Sequence, residues 1–263
     1  MSKKDILCEE SIKTLLGSSV FKVCVLDETD STNTYVKNLA ELGEDEGLVV
    51  IAKTQTMGRG RMGRKFYSPD SSGLYMSILL KPKFPAKDSL FITTAAAVSL
   101  CRALEKYTDK KMEIKWVNDI FCEGRKVCGI LTEGKLSPDS SKFSYAVLGI
   151  GVNVYLPEGG FAEDIKDIAG FVFQHEQKNM KNKLAASIIS EFFKLYKGND
   201  RLSVLDEYKK RSCVLGKKIF VIEGETKTEA LALDIDENFN LLVKYSDGRL
   251  KTLNSGEVSI KKA

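Results

Sequence analysis

Thr54-Gln55-Thr56-Met57-Gly58-Arg59-Gly60-Arg61-Met62-Gly63-Arg64 is the stretch on which the reading of this chain turns. Three glycines alternate with three arginines over residues 58 to 64, so the backbone can bend tightly around an anion while guanidinium forks neutralise it. Such a run by itself also fits a solvated loop or a nucleic-acid contact. Its flanks narrow the choice. Residues 48 to 53 and 73 to 80 read as buried strands entering and leaving it. A long glycine-rich loop between two core strands is more often a functional lid than a disordered tail. It asks for phosphate or carboxylate.

Upstream, residues 23 to 26 suit a strand, and Ser31 and Thr32 stand in capping position for a helix carrying Tyr35, Val36, Leu39 and Ala40, ended by Gly43. Downstream, residues 89 to 107 read as a long buried helix with its alanines and leucines on and around one face, the alanines implying close packing on a sheet. Strands are expected at 113 to 117, 126 to 132 and 143 to 154, with a tight polar turn at 123 to 125, then helices at 183 to 196 and 202 to 211 separated by Gly198. From Gly216 the pattern changes to short alternating strands, and Asp247-Gly248 is a strong hairpin signal. The expectation is an α+β protein: a mixed-sheet domain over 1 to 212 and a small SH3-like β-barrel over 213 to 263.

At 263 residues with 43% apolar content the chain can build these cores and is neither disordered nor fibrous. A net charge of +4 is too even to imply a nucleic-acid partner from bulk charge. Ser2 to Asp5 is charged but no apolar stretch of signal-peptide length follows, and no membrane-length apolar run occurs anywhere, so the expectation is a cytoplasmic protein with no membrane partner. The six cysteines include no Cys-x-x-Cys pair and the single histidine, His175, lies in a polar stretch, so a disulfide scaffold, a zinc site and Ser-His or Cys-His chemistry are all disfavoured.

Five ordered motifs resemble those of the biotin protein ligases, which adenylate biotin and pass it to a carrier lysine. Ser31-Thr32-Asn33 is similar to the family's first signature, and Thr54, Gln55, Gly58, Arg59, Gly60, Arg61, Gly63 and Arg64 to its arginine loop. Lys115, Trp116, Asn118 and Asp119 fit its Lys-Trp-Pro-Asn-Asp motif, Lys126, Gly129, Leu131 and Glu133 follow at its spacing, and Gly149, Gly151 and Asn153 lie in a Gly-Ile-Gly-Val-Asn run. Together they are highly specific, where any one is weak. Val117 replaces the motif proline, which would loosen the backbone there; Phe66 replaces a common tryptophan; Asn240 stands where a turn glycine is common.

The resemblance implies the biotin/lipoate ligase fold in its form without an N-terminal DNA-binding domain. It implies ATP, biotin and Mg2+ as small molecules, and the biotin carboxyl carrier domain of a carboxylase as protein partner. Ser31, Thr32, Asn33 and Gln55 would bond the ureido ring, with Gly60 beside them, and Gly129, Leu131, Gly149 and Gly151 would line the slot. Arg59, Arg61 and Lys126 are assigned to the carboxylate and α-phosphate, Arg61, Arg64 and Lys115 to ATP phosphates, and Asn118 and Asn153 to phosphate or adenine. Arg59, Lys126 and Asp119 form the expected catalytic set, Asp119 either orienting the acceptor amine or touching magnesium; no dedicated protein metal site is expected. Lipoate attachment on the related fold, nucleic-acid binding through the arginine loop, and a biotin sensor without catalysis stand as alternatives. The oligomeric state is open, a homodimer included.

Overall fold

The computed structural model describes residues 5 to 17 and 20 to 260. The charged start at 2 to 4 and the outer ends of both expected domains, 1 to 4 and 261 to 263, lie outside the described residues. A short helix α1 (Glu9–Leu16) precedes β1 (Lys22–Thr29), α2 (Thr32–Glu41) and β2 (Leu48–Gln55). After the arginine loop come β3 (Gly73–Leu80), α3 (Leu90–Glu105), β4 (Met112–Lys115), β5 (Asp119–Cys122), β6 (Arg125–Leu136) and β7 (Phe143–Asn153). These seven strands form one mixed sheet in the order β1-β2-β3-β7-β6-β5-β4. Only β1 and β2 pair in parallel, as their α2 crossover requires; the other pairs are antiparallel.

Every residue of β3 is buried, which is why its sequence is a continuous apolar run rather than an alternating one. The α3 helix is buried from Phe91 to Leu104 except at Arg102, more fully than the one-faced expectation. Helices α4 (Met180–Gly198) and α5 (Arg201–Arg211) cover its other side, so it is buried nearly all round. Gly198 is the last helical residue; the break comes at Asn199, whose φ of 50° is left-handed, a conformation asparagine tolerates. Strand β5 was not expected, because four residues, half of them polar motif or turn neighbours, are too short to show a period.

The small domain is an antiparallel sheet of β8 (Lys218–Glu223), β9 (Thr226–Ile235), β10 (Leu241–Tyr245), β11 (Leu250–Leu253) and β12 (Glu257–Ile260). Its order is β11-β10-β9-β8-β12, and β11 does not pair with β12 among the described residues, so the ring of an SH3-like barrel is not closed by hydrogen bonds. Gly248 at φ 88° makes the expected hairpin turn. In the preceding turn the left-handed residue is Phe239, at φ 64°, and not Asn240. Asn240 instead donates its side-chain amide to Asp236 Oδ2 at 2.9 Å.

Val117 does not loosen its segment. It is 2% exposed, and its carbonyl accepts from the Tyr208 hydroxyl at 3.0 Å. His175 is exposed and all six cysteines are free thiols. Among the described residues no helix is long and apolar enough to cross a membrane.

Candidate active site

The first motif is set by the start of α2. Ser31 occupies the N-cap position without its side chain bonding the helix, which leaves the hydroxyl to the cavity in front of it. Thr32 is held by Gln55, whose Oε1 accepts from the Thr32 amide at 2.9 Å and hydroxyl at 3.1 Å. Gln55 Nε2 in turn donates to Ser68 Oγ at 2.9 Å. The wholly buried Ser77 hydroxyl lies 2.7 Å from Thr32 Oγ1 and 2.6 Å from Asn33 Oδ1, and Asn33 Nδ2 donates to Glu133 Oε2 at 2.9 Å. Ser31, Thr32 and Asn33 are each at most 3% exposed, and hydrogen bonds fix the side chains of Thr32 and Asn33 before any ligand arrives.

A cavity opens in front of this network. Ser31, Thr32, Asn33 and Gln55 form one part of its wall; Gly129, Leu131, Gly149 and Gly151 on β6 and β7 form the floor; Arg59, Gly60, Arg61, Asn118 and Lys126 border the rest. The floor glycines make room for protein groups first. A Cβ on Gly149 would lie 2.1 Å from Asn33 Oδ1, and one on Gly151 would lie 2.4 Å from the Phe66 ring.

The arginine loop folds back on itself. Arg59 bridges Lys65, Gly60 N donates to Arg64 O at 2.7 Å, and Phe66 N donates to Gly58 O at 2.8 Å. Each arginine finds a different acceptor. Arg59 pairs with Glu133 at 3.0 Å, Arg61 Nη1 donates to Asn118 Oδ1 at 3.0 Å, and Arg64 grips Glu257 of the small domain with both terminal nitrogens. Burial pushes the Arg61 pKa down, against the carboxylates of Asp119 and Glu257, yet a guanidinium remains charged at any working pH. Burial pushes the Glu257 carboxyl up, but the Arg64 hydrogen bonds and charge outweigh it and hold it below the usual range.

A second cavity continues from the first, sharing Gly60, Arg61, Phe66, Asn118 and Lys126. Arg61, Arg64, Lys65, Lys115 and Lys126 face it against only Asp119 and Glu257, an excess of positive charge suited to a polyanion. The β4–β5 turn supplies Lys115, Asn118 and Asp119; Asn118 is clamped by its side-chain amide to Ile130 O and its carbonyl to Ile130 N, both at 2.9 Å. A bulge where β6 meets β5 accompanies the placement of Lys126 over Gly129 and beside Asp119. Its Nζ is 2.6 Å from Asp119 Oδ1, an ion pair without an aligned hydrogen bond.

Two adjoining chambers, one glycine-floored with a fixed polar wall and one cationic, can hold an elongated acid beside a polyphosphate with Lys126 and Arg61 at the junction. Of the residues singled out in the sequence only Asn153 stands apart: it ends β7 and its amide donates to Gly170 O at 3.0 Å. Sequence reasoning missed Ser77, Ser68 and Glu257. Ser77 offered only a single serine inside an apolar strand, and Glu257 carried no local signal.

The fold and this double cavity define a ligase of the biotin/lipoate class. Residues 25 to 153 match the biotin/lipoate A/B protein ligase family and residues 214 to 261 the biotin protein ligase C-terminal domain. With both segments present in order, the chain belongs to the biotin protein ligase family. The bifunctional ligase/repressor BirA of Bacillus subtilis is 36% identical over 143 residues, 54% of this chain but 43% of that protein, so the chain spans less than half the length of that relative. The biotin–[acetyl-CoA-carboxylase] ligase of Mycobacterium tuberculosis is 26% identical over 96% of this chain and 95% of its own length. The Aquifex aeolicus biotin protein ligase, solved in complex with biotin and ATP, superposes with a TM-score of 0.72 at 28% identity, covering 92% of this chain and 99% of that one.

Proposed function

We propose that this chain activates biotin with ATP to biotinyl-adenylate and transfers the biotinyl group to a lysine of a biotin carboxyl carrier domain, with residues 1 to 212 as catalytic domain and 213 to 263 as the small domain. The observation that carries the reading is the junction: Lys126, Arg61 and Asn118 border both the glycine-floored cavity and the cationic one. The relatives and the Aquifex complex support the same assignment.

In the first cavity Ser31, Thr32, Asn33 and Gln55 present fixed donors and acceptors to the ureido ring, and the Gly129, Gly149 and Gly151 floor takes the apolar body. Its carboxylate meets Lys126 and Arg59. A carboxylate oxygen attacks the α-phosphorus and pyrophosphate leaves; Lys126 and Arg61 stabilise the charge gathered between two anions. Arg64 and Lys115 hold the outer phosphates and Asn118 the nucleotide, while Asn153, bonded to Gly170 O outside both cavities, takes no part in holding it. The acceptor amine then attacks the acyl carbon and AMP departs. Asp119 orients that amine and takes up its proton.

The residues fit magnesium only as a companion of the triphosphate: no cluster of three or more His, Cys, Asp or Glu occurs among the described residues, and Asp119 Oδ1 lacks an aligned hydrogen bond. Asp119 would be the protein oxygen offered to it, and the ion would supply charge neutralisation on the phosphates. The reading also takes the protein as a cytoplasmic enzyme with no nucleic-acid partner.

The test is ATP–pyrophosphate exchange with biotin and with lipoate separately, followed by incubation with ATP, magnesium, biotin and a carrier domain and a search for biotin mass on the carrier lysine. Biotin-dependent exchange and a labelled carrier are expected. Exchange with lipoate alone would overturn the assignment.

A further inference from the structure

Resting on that reading, we infer that Phe239 of the small domain is a positioning residue for adenylate formation, acting through Trp116. Phe239 sits between β9 and β10 at φ 64°, a left-handed conformation that bulky side chains rarely adopt. The turn around it is fully bonded: Phe239 N donates to Asp236 O, and Asp236 N to Asn240 O, both at 2.9 Å. Its side chain is wholly buried against the large domain, with ring centroids 6.1 Å from Phe91 of α3 and 6.4 Å from Tyr208 of α5, and the Arg201 guanidinium 5.9 Å from its ring. A strained residue persists where its surroundings over-determine it, and here the surroundings belong to the other domain.

The backbone of this plug is also used. Phe239 O accepts the Trp116 indole N–H at 3.0 Å in a buried hydrogen bond, and Tyr208, which packs on the plug, donates its hydroxyl to Val117 O at 3.0 Å. Both residues between Lys115 and Asn118 are therefore held from this one point. Lys115, Asn118 and Asp119, presented on either side of that step, line the cationic cavity. Two ion pairs also link the domains, Arg64 with Glu257 and Lys209 with Asp234, but each has one side chain more than half exposed and is softer. Phe239 thus fixes the backbone from which the phosphate-facing groups project, and small misplacement there costs rate.

Trp116 is the only tryptophan of the chain, so its emission reports on this contact without labelling. Phe239→Gly, Phe239→Leu and Trp116→Phe are compared with the full-length parent for tryptophan emission where present, far-UV circular dichroism, and biotin-dependent pyrophosphate exchange per titrated active site. Phe239→Gly is expected to keep the parent circular dichroism, shift emission to the red and lower turnover about tenfold or more, with KM for biotin and ATP within about twofold. Phe239→Leu restores most of that turnover, and Trp116→Phe lowers it as Phe239→Gly does. Parent turnover per site in Phe239→Gly or in Trp116→Phe overturns the inference, as does a loss confined to KM for ATP, which would place Trp116 against the nucleotide. If Phe239→Gly does not fold, Trp116→Phe decides alone by the same criteria. A parent without biotin-dependent exchange overturns the proposed function instead, while an unshifted emission in folded Phe239→Gly overturns the contact itself.

Discussion

Lys126 Nζ and Asp119 Oδ1 neutralise each other at 2.6 Å where the two cavities meet. On the proposed reaction the ammonium must turn to the substrate anions, so its worth lies in the charge that develops during attack. Lys126→Ala should lower the adenylation rate about 10²-fold or more, while calorimetric biotin affinity falls far less. It also strands Asp119, whose side chain is 17% exposed, so the melting temperature should drop as well. Adding Asp119→Asn should recover stability but not rate. An unchanged exchange rate in Lys126→Ala would remove the lysine from the mechanism.

Arg64 and Glu257 tie the arginine loop to the small domain, but the Arg64 side chain is 63% exposed, so the pair is worth less than about 1 kcal/mol. Arg59, Arg61 and Arg64 use protein acceptors in place of an anion, and these are weak anchors. Trypsin should cut within residues 59 to 65 readily in the free protein, more readily in Glu257→Gln, and slowly with biotin plus ATP. Equal cleavage with and without ligand counts against a lid. The Glu257 carboxyl titrates below its ordinary value in the folded protein, so its stabilisation is present above the unfolded-state value and is lost as pH falls through the folded one. The melting difference between parent and Glu257→Gln should therefore shrink only in acid.

What was legible in the sequence follows from how local each signal is. The loop with its flanking strands, α3 and the Asp247-Gly248 hairpin announce themselves through period and turn chemistry, and they lie where expected. The cavity residues were legible through motif spacing, not through any local period. Ser77 was hidden because a single serine in an all-buried strand looks like a satisfied core polar group, and its two partners come from a helix over forty residues upstream. Glu257 and Phe239 were hidden for a different reason. Their partners, Arg64, Trp116, Phe91 and Tyr208, lie in the other domain, and no propensity encodes a contact of that range.

Gly149 offers a test of the floor. A Cβ there would lie 2.1 Å from Asn33 Oδ1, while Ser77 and Glu133 already fix that side chain, so Asn33 must move or the strand must shift. Gly149→Ala should weaken biotin binding by about tenfold or more, the scale of an overpacked site costing ~1–3 kcal/mol. Binding of ATP alone should stay near parent, since Gly149 does not border the second cavity. Parent-like biotin affinity by calorimetry would mean that Asn33 does not contact the ligand.

Arg61 separates making the adenylate from keeping it. It borders both cavities and its guanidinium donates to Asn118, so it closes over the place where the activated acyl group would lie. An acyl-adenylate reacts with any amine and is confined by the groups that hold it and exclude water. Arg61→Gly removes one fork and leaves Lys126 and Arg59 to support some adenylation. The expected result is leakage: shorter retention of biotinyl-adenylate on gel filtration, and more biotin on bystander lysines per adenylate formed, read by mass spectrometry of an added unrelated protein. If Arg61→Gly forms adenylate and retains it as long as the parent does, Arg61 is not a retention residue and the lid argument fails at that position.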